Sequence, residues 1–285
     1  MADLLILNYN DSSTTVELVN ATINFRNIDH ILVVDNNSTD DSFSIFIKEF
    51  SGKVEVIKTS RNGGYGYGNN YGIAYLRAKY NSKYIIIANP DVVFTDESIS
   101  NMESFLESHK EYAIVAPIMH DKHGNIMSNF GWNISKKSSY IFEIGLIGSK
   151  IITRNSSRID LSKKVIDIDA IAGSLLLINT DSFVKAGCYD ENVFLYCEET
   201  ILGFRLKKLG YKSALISDYS YIHNHSVSIS KTFKSRLKRR KLVIASKLHV
   251  LKDYYNANCF EMLLARIIAF FSLAETFLLS LFKKG

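Results

Sequence analysis

Residues 31–40, Ile31-Leu32-Val33-Val34-Asp35-Asn36-Asn37-Ser38-Thr39-Asp40, carry the reading that decides the fold. Four apolar residues run straight into a carboxylate and a string of turn-forming amides and hydroxyls. An apolar run this short, without polar alternation, fits a strand buried on both faces, as in a parallel sheet covered by helices. The same pattern recurs on either side. Residues 3–7 (DLLIL) end at Asn8-Tyr9-Asn10, 54–57 (VEVI) lead to Arg61-Asn62-Gly63-Gly64, and 84–88 (YIIIA) end at Asn89-Pro90-Asp91. Between these runs the spacing predicts helices over 12–25 (N-cap Ser12 or Ser13), 40–50 (Phe43, Ile47 and Phe50 on one face), 67–80, and from a Thr95 cap to about 109. Strands alternating with helices of this length give βαβ units, so the expected class is α/β with a mostly parallel, Rossmann-like sheet.

The second half is less regular. Residues 113–160 read as loop and short strands, including Gly131-Trp132. Residues 167–178 read as a strand with a glycine break, Thr180 as the cap of a helix ending at Gly187, 198–209 as a helix, and 213–217 and 219–223 as short strands. No Pro/Gly-rich linker divides the chain.

In open α/β sheets ligands sit beyond the carboxyl ends of the strands. Four strand ends rich in Asn, Asp and Gly share one rim here, although each alone would serve as turn punctuation. Asp35 and Asp91 suit a nucleotide with a divalent cation, since Mg²⁺ and Mn²⁺ prefer oxygen ligands and keep diphosphate oxygens in their shell. The run Gly63-Gly64-Tyr65-Gly66 lets backbone approach a ligand closely. It has neither the dinucleotide spacing nor a P-loop GK[ST]. Glu198-Glu199 open a helix, where two acids either complement the dipole or present a general base to a cleft. His223 and His225 would share a face of a strand, and one of them could complete a metal site with Asp91.

The chain has 285 residues, 47% hydrophobic and 22% charged, with only two prolines, which excludes collagen-like and Pro-rich disordered classes. Its three cysteines are too few and scattered for a disulfide framework, which fits a reducing compartment. No signal peptide is readable at the acidic N-terminus. The net charge of +5 hides an asymmetry: residues 231–252 hold nine bases and no acid, leaving the rest mildly acidic. Residues 262–282 then form an amphipathic helix. Arg266, Ser272, Glu275, Thr276 and Ser280 lie in one half of the wheel; Ile267, Phe270, Phe271, Ala274, Phe277, Leu278, Leu281 and Phe282 lie in the other. The pair reads as docking on an anionic membrane, or as a helix that completes the core or a homodimer interface.

Taken together, Asn8-Tyr9-Asn10, Val33 to Asp40, Asn62 to Gly66 with Asn70-Tyr71-Gly72, Asn89-Pro90-Asp91, Ala172-Gly173-Ser174, and Glu198-Glu199 with Arg205 and Gly210 resemble the family 2 glycosyltransferases of the GT-A fold, in their bacterial rhamnosyltransferase-like branch. The resemblance covers about residues 3–228. It implies a GT-A domain at 1–228, with a nucleotide-binding half (1–110) and an acceptor half (111–228), and a basic, amphipathic helical extension at 229–285. It implies that Asn8, Tyr9, Asn10, Asp35, Asn37, Arg61, Asn62, Gly63, Gly64, Asn70 and Asn89 bind the donor nucleotide. Asp91 and His223 would hold Mn²⁺ or Mg²⁺, Gly173, Ser174 and Arg205 would meet the sugar or acceptor, and Glu199, beside Glu198, would be the base. The chain departs from the family pattern where Glu199 replaces Asp and where Ile201 stands in place of a frequent Asp.

The implied reaction is inverting transfer from a dTDP- or UDP-sugar, rhamnose by resemblance, to a lipid-linked cell-surface glycan. The enzyme would sit in the cytoplasm, peripheral on the inner face of the membrane. Two other readings weigh against it. A nucleotidyltransferase would want a basic first loop, and residues 8–14 (NYNDSST) contain no Lys or Arg. A non-catalytic nucleotide-sugar-binding module remains open because of the Glu-for-Asp change. Nucleic acid is not expected as a partner, since Phe233 alone interleaves the bases, too little for a stacking surface.

Overall fold

The computed structural model describes residues 1–149, 159–224 and 235–282. His225 and the start of the basic block, Lys231 and Lys234, lie outside the described residues. Strands β1 (Ala2–Asn8), β2 (Ile28–Asp35), β3 (Val54–Lys58) and β4 (Tyr84–Ala88) alternate with helices α1 (Ser12–Thr22), α2 (Ser42–Glu49) and α3 (Tyr65–Tyr80). They form a parallel half-sheet in the order β3-β2-β1-β4. Leu4, Leu5, Ile6, Ile31, Leu32, Val33, Val34 and Ile85 to Ile87 are fully buried, as two-sided helix cover requires. In α2 the core residue is Phe46, while Ile47 is 55% exposed; the inward face is one residue away from the expected one. Helix α4 (Asp96–Ser108) is capped as expected, with the Thr95 side chain accepting from Ser98 N.

The sheet continues through the second half of the chain. A two-residue strand β5 (Val92–Val93) follows β4, and β6 (Tyr112–His120) lies beyond it in sequence. The short strands β7 (Gly131–Trp132) and β9 (Ala170–Ile171) pair as a separate ribbon. Strands β8 (Val165–Ile168), β10 (Leu175–Asn179) and β11 (Lys212–His223) complete the sheet, ordered β3-β2-β1-β4-β10-β6-β11-β5 with β8 paired to β11. β10 is antiparallel to both neighbours, and β11 runs parallel to β6. The sheet therefore crosses the boundary expected between the two halves near residue 110.

Two local readings change. Where loop and short strands were expected over 113–160, residues Tyr112–His120 form one long buried central strand. The helix after β10, α6 (Thr180–Lys185), is capped by Asn179, whose side chain accepts from Ser182 N, one residue before the expected Thr180.

Helices α5 (Lys137–Phe142), α7 (Glu198–Lys208), α8 (Arg236–Asp253) and α9 (Cys259–Phe282) build a second core around Tyr140, Ile144, Ile201, Val250 and Ala265. The C-terminal extension is thus packed onto the body. The inward face of α9 carries Ala265, Ala269, Ser272 and Thr276, all buried. Arg240 on α8 donates to Ser272 Oγ, through Nε at 2.9 Å. The aromatic face points outward, with Phe270 67% and Phe271 65% exposed.

Candidate active site

The rim begins as a hydrogen-bonded knot at the ends of β1 and β2. Asn8, fully buried, donates through Nδ2 to Asp35 Oδ1 and to Ser38 Oγ, both at 3.1 Å. Its Oδ1 accepts from Asp11 N and from Thr15 Oγ1. Asp35 Oδ2 accepts from Ser38 N at 3.0 Å, so both carboxylate oxygens are held within the protein. Asn10 and Asn37 sit at φ of 54° and 58°, a left-handed region that Asn tolerates. Asn10 Oδ1 accepts from Thr39 N. Asn36 carries the rim onward by donating to Asn62 Oδ1 and Gly64 O.

Gly64 is required where it stands. Its φ is +95°, and a Cβ there would overlap the Phe194 carbonyl. That same carbonyl accepts from Tyr65 N at 3.1 Å. The glycine loop is thereby seated directly on the segment that leads into the acid pair.

The acid pair opens α7 after two consecutive left-handed residues, Tyr196 at φ 74° and Cys197 at φ 71°. Such backbone costs on the order of 1–2 kcal/mol per residue, which suits a site where side-chain direction matters more than local stability. Glu199 Oε1 accepts from Gly173 N at 3.2 Å, and Tyr65 donates to Gly173 O at 2.5 Å. Glu198 is buried, with Oε1 lacking a hydrogen-bond partner. Burial, reinforced by the neighbouring Glu199 charge, pushes the Glu198 carboxyl well above the usual range. Burial also raises Glu199, opposed by backbone N–H groups including that of Gly173. Both carboxyls are shifted toward the protonated form, Glu198 more strongly, so Glu199 is the readier of the two to ionise, the property a general base needs.

Across the cleft, Asp91 Oδ1 stands 3.1 Å from His223 Nε2, both side chains nearly buried, while His223 Nδ1 faces Met119 Sδ at 3.3 Å. Strand pairing brings them together, since β11 joins β5 through His223 and Val92. A carboxylate and an imidazole nitrogen at this separation fit a shared divalent cation. Among the described residues no cluster of three His, Cys, Asp or Glu side chains could hold a metal alone, so ligand oxygens would fill the rest of the shell.

A cavity of about 490 Å³ connects these groups. It brings together Asn89, Gly173, Ser174, Glu198, Glu199 and His223. Asn89 N donates to Ser174 O, and the Ser174 and Tyr221 hydroxyls share a 2.6 Å hydrogen bond. Asp91 adjoins the cavity through His223. The other expected donor residues, Asn8, Tyr9, Asn10, Asp35, Asn37, Arg61, Asn62, Gly63 and Gly64, lie along the rim outside the cavity wall. Arg61 stacks over Tyr67 at 4.9 Å.

Two expected residues sit elsewhere. Arg205 donates to the carbonyls of Gly187 and Cys188 and pairs with Asp190 at 3.5 Å, lining a separate depression with Asn70. Asn70 is itself tied to Tyr189 and Glu191. Arg205 is thus tied to the segment around Asp190 away from the main cavity, and Asn70 braces α3 outside it as well. Burial disfavours the Asp190 carboxylate, but hydrogen bonds from His249 and Tyr254 overcome it and hold the carboxyl far below its usual range, anchoring α8 here.

Sequence reasoning missed Tyr65, Trp132, Tyr140, Lys247 and Tyr255, all of which line the cavity. Trp132 is the chain's one tryptophan, beside a glycine in the irregular half, and its Nε1 donates to Thr200 Oγ1 on α7. That singularity was a usable signal. Lys247, one base among nine, gave none.

The glycosyl transferase family 2 model matches residues 3–158, more than half the chain. The chain belongs to glycosyl transferase family 2. It is 25% identical over 228 residues to the rhamnosyltransferase WbbL of Escherichia coli K12, covering 76% of this chain and 82% of that protein. It is 24% identical over 223 residues to an N-acetylglucosaminyl-diphospho-decaprenol L-rhamnosyltransferase of Mycobacterium tuberculosis, covering 73% and 70%. Among solved structures, GalNAc-T7 with UDP, GalNAc and Mn²⁺ superposes with a TM-score of 0.61 at 16% identity, covering 90% of this chain and 50% of that one. The mannosyltransferase PcManGT of Pyrobaculum calidifontis with GDP-Man and Mn²⁺ gives 0.58 at 11% identity, covering 94% and 73%. The fold is GT-A, and this family 2 member is a rhamnosyltransferase-like glycosyltransferase.

Proposed function

We propose that this glycosyltransferase moves a sugar, rhamnose by likeness to its relatives, from a dTDP- or UDP-sugar to a hydroxyl of a lipid-linked glycan, with inversion. The observation that carries the reading is the cavity holding an ionisable Glu199 together with the Asp91–His223 side. The rim from Asn8 to Gly64 receives the nucleotide, with Asp35 and Asn8 acting as the knot that shapes it. Asp91 and His223 would hold the Mn²⁺ or Mg²⁺; when bound, the cation supplies positive charge to the leaving diphosphate. Glu199 Oε takes the proton of the acceptor hydroxyl as its oxygen bonds to the anomeric carbon. The bond from that carbon to the diphosphate oxygen breaks on the opposite face, and nucleoside diphosphate leaves. Gly173 N–H holds Glu199 in place, and Glu198, protonated, adds no second charge beside it.

The acceptor reading is supported by the mycobacterial relative's N-acetylglucosaminyl-diphospho-decaprenol and by the tail. Helix Cys259–Ser280 is long and apolar enough to cross a membrane and is only 22% buried, while its small and polar residues face the protein. A helix that turns its phenylalanines outward beside a basic helix fits insertion into an anionic lipid surface, here the inner face of the cell membrane. Incubation with dTDP-rhamnose, UDP-sugars, Mn²⁺ and undecyl N-acetylglucosaminyl diphosphate tests the reaction. Formation of a disaccharide with inverted anomeric configuration is expected, and donor hydrolysis alone would contradict it. Replacing Phe270 and Phe271 with Glu should release the folded protein from anionic vesicles. Unchanged vesicle binding would remove the membrane role, and monomerisation of a dimer would assign the face to a second copy.

A further inference from the structure

One charged group in the cavity has no task in donor binding or proton transfer. Lys247 projects from α8 into the cavity wall, its side chain only 17% exposed. Its Nζ donates to the Glu143 carbonyl at 2.9 Å, with the Glu143 carboxylate 3.6 Å away. An ammonium carries three donors, so capacity remains on the cavity side. The Glu143 carboxylate offsets part of the cost of drawing the lysine this far from water, and it engages only part of the ammonium's donor capacity.

Its place relative to the acids can be traced by contacts. Cys197, directly before the acid pair, touches the Tyr140 hydroxyl at 3.6 Å, and Lys247 Nζ lies 5.4 Å from the Tyr140 ring centre. Tyr140 packs against Tyr255 with ring centres 4.8 Å apart, so two aromatic rings line the cavity together with the acid pair and the lysine. On the far side of the lysine the chain meets α9. Glu143, its partner, lies two residues before Gly145, which faces Ile268, and Lys137 bridges to Glu261 at 3.0 Å. The acid pair, the aromatic rings and the ammonium thus line one cavity, and the segment from Glu143 to Gly145 leads from it to α9.

We propose that Lys247, with Tyr140 and Tyr255, forms the subsite for the phosphate-bearing reducing end of the acceptor. The sugar lies against the aromatic walls with its hydroxyl at Glu199, its phosphate meets Lys247, and its lipid follows α9. This rests on the proposed transferase reading and names the acceptor group recognised. Charge-assisted hydrogen bonds to phosphate are about twice as strong as neutral ones, enough for selection between charged and uncharged acceptors.

The test compares undecyl N-acetylglucosaminyl diphosphate with undecyl N-acetylglucosaminide, which lacks phosphate, using the full chain with Mn²⁺. Wild type should prefer the diphosphate by about tenfold or more in kcat/KM, an effect of about 1.4 kcal/mol by the tenfold conversion constant. Lys247→Met should lower that preference about tenfold, through KM for the diphosphate acceptor, and Lys247→Arg should restore most of it. Equal wild-type use of both acceptors overturns the inference and leaves the transferase reading standing. So does a Lys247→Met loss that falls on the donor KM, which would assign the lysine to the donor's diphosphate. Transfer to neither compound removes the proposed acceptor and this subsite with it. Because the wild-type preference is measured without any variant, a Lys247→Met chain that fails to fold leaves the proposal testable.

Discussion

The donor rim and the acid cavity are built on opposite principles. At the rim the buried knot is spent on its neighbours: Asn8 makes four side-chain hydrogen bonds, and Asp35 has both oxygens occupied. In the cavity, Glu198 keeps an unpartnered oxygen, the entering backbone is left-handed at two residues, and burial pushes the Cys197 thiol up to about 12. The knot is internally satisfied, as a preformed nucleotide site would be. The cavity stores electrostatic and conformational cost next to Glu199, the proposed base. On the proposed reading, recognition and chemistry are separated along one sheet edge, and they should respond to mutation differently.

The largest contrast is expected from Glu199→Gln. Transfer should fall by about 10²–10⁴-fold, the usual size of general-base assistance, while nucleotide-sugar affinity measured by calorimetry stays as in wild type. A parallel loss of donor binding would merge the two regions into one. Asp91→Ala should act in the reverse sense, weakening Mn²⁺-dependent donor binding by about 10–100-fold, the range seen when support of a metal site is removed. Donor affinity insensitive to both Mn²⁺ and this change would remove the cation from the site.

Asn8→Ala probes the rim by stability. It strands the buried Asp35 Oδ1, while the Thr15 hydroxyl keeps the Asp11 carbonyl, so denaturant unfolding should show a loss of about 1–3 kcal/mol. Glu198→Gln should have the smallest effect. Burial favours the protonated form of the folded Glu198, and the amide is nearly its isostere, so below the usual glutamate range near 4.3 the melting temperature should be unchanged. The sign appears as pH rises above that range, where the variant should become the more stable of the two. The wild type's raised folded pKa means that protonation-linked stability is lost as pH rises through it, whereas the glutamine variant loses none. A large drop at pH 7 would mean that Glu198 is ionised and partnered.

The donor half was legible because its signals are local. Apolar runs end in Asn or Asp at each strand's carboxyl end, and the helices between them have ordinary caps, so the rim could be drawn from the sequence with strand ends correct to within a few residues. The later half was not, and particular residues explain why. Pro117 in the middle of β6 argues against a central strand, since proline gives no ladder donor. The structure accommodates it where β11 shifts register between Ile216 and Ser220, opposite Pro117 and Ile118. No local pattern announces that bulge. Arg205 entered the site through the family resemblance, but its position in the second turn after the acid pair turns it toward Asp190. The direction of α9 was also hidden. A helical wheel separates the two faces without saying which one meets protein, and here the Arg240–Ser272 hydrogen bond ties the small polar face inward. Lys247 and Tyr255 enter the cavity only because that tail is packed onto the body.

The account stands most directly on the pH dependence of transfer. Glu199 must be ionised to accept a proton, and its burial raises the carboxyl pKa, so activity should fall on acidification at a higher pH than an ordinary glutamate would give. The expected kcat/KM profile has an acid limb displaced above the usual range near 4.3. A limb at the ordinary glutamate value, or a profile flat across that region, would contradict Glu199 as the buried base.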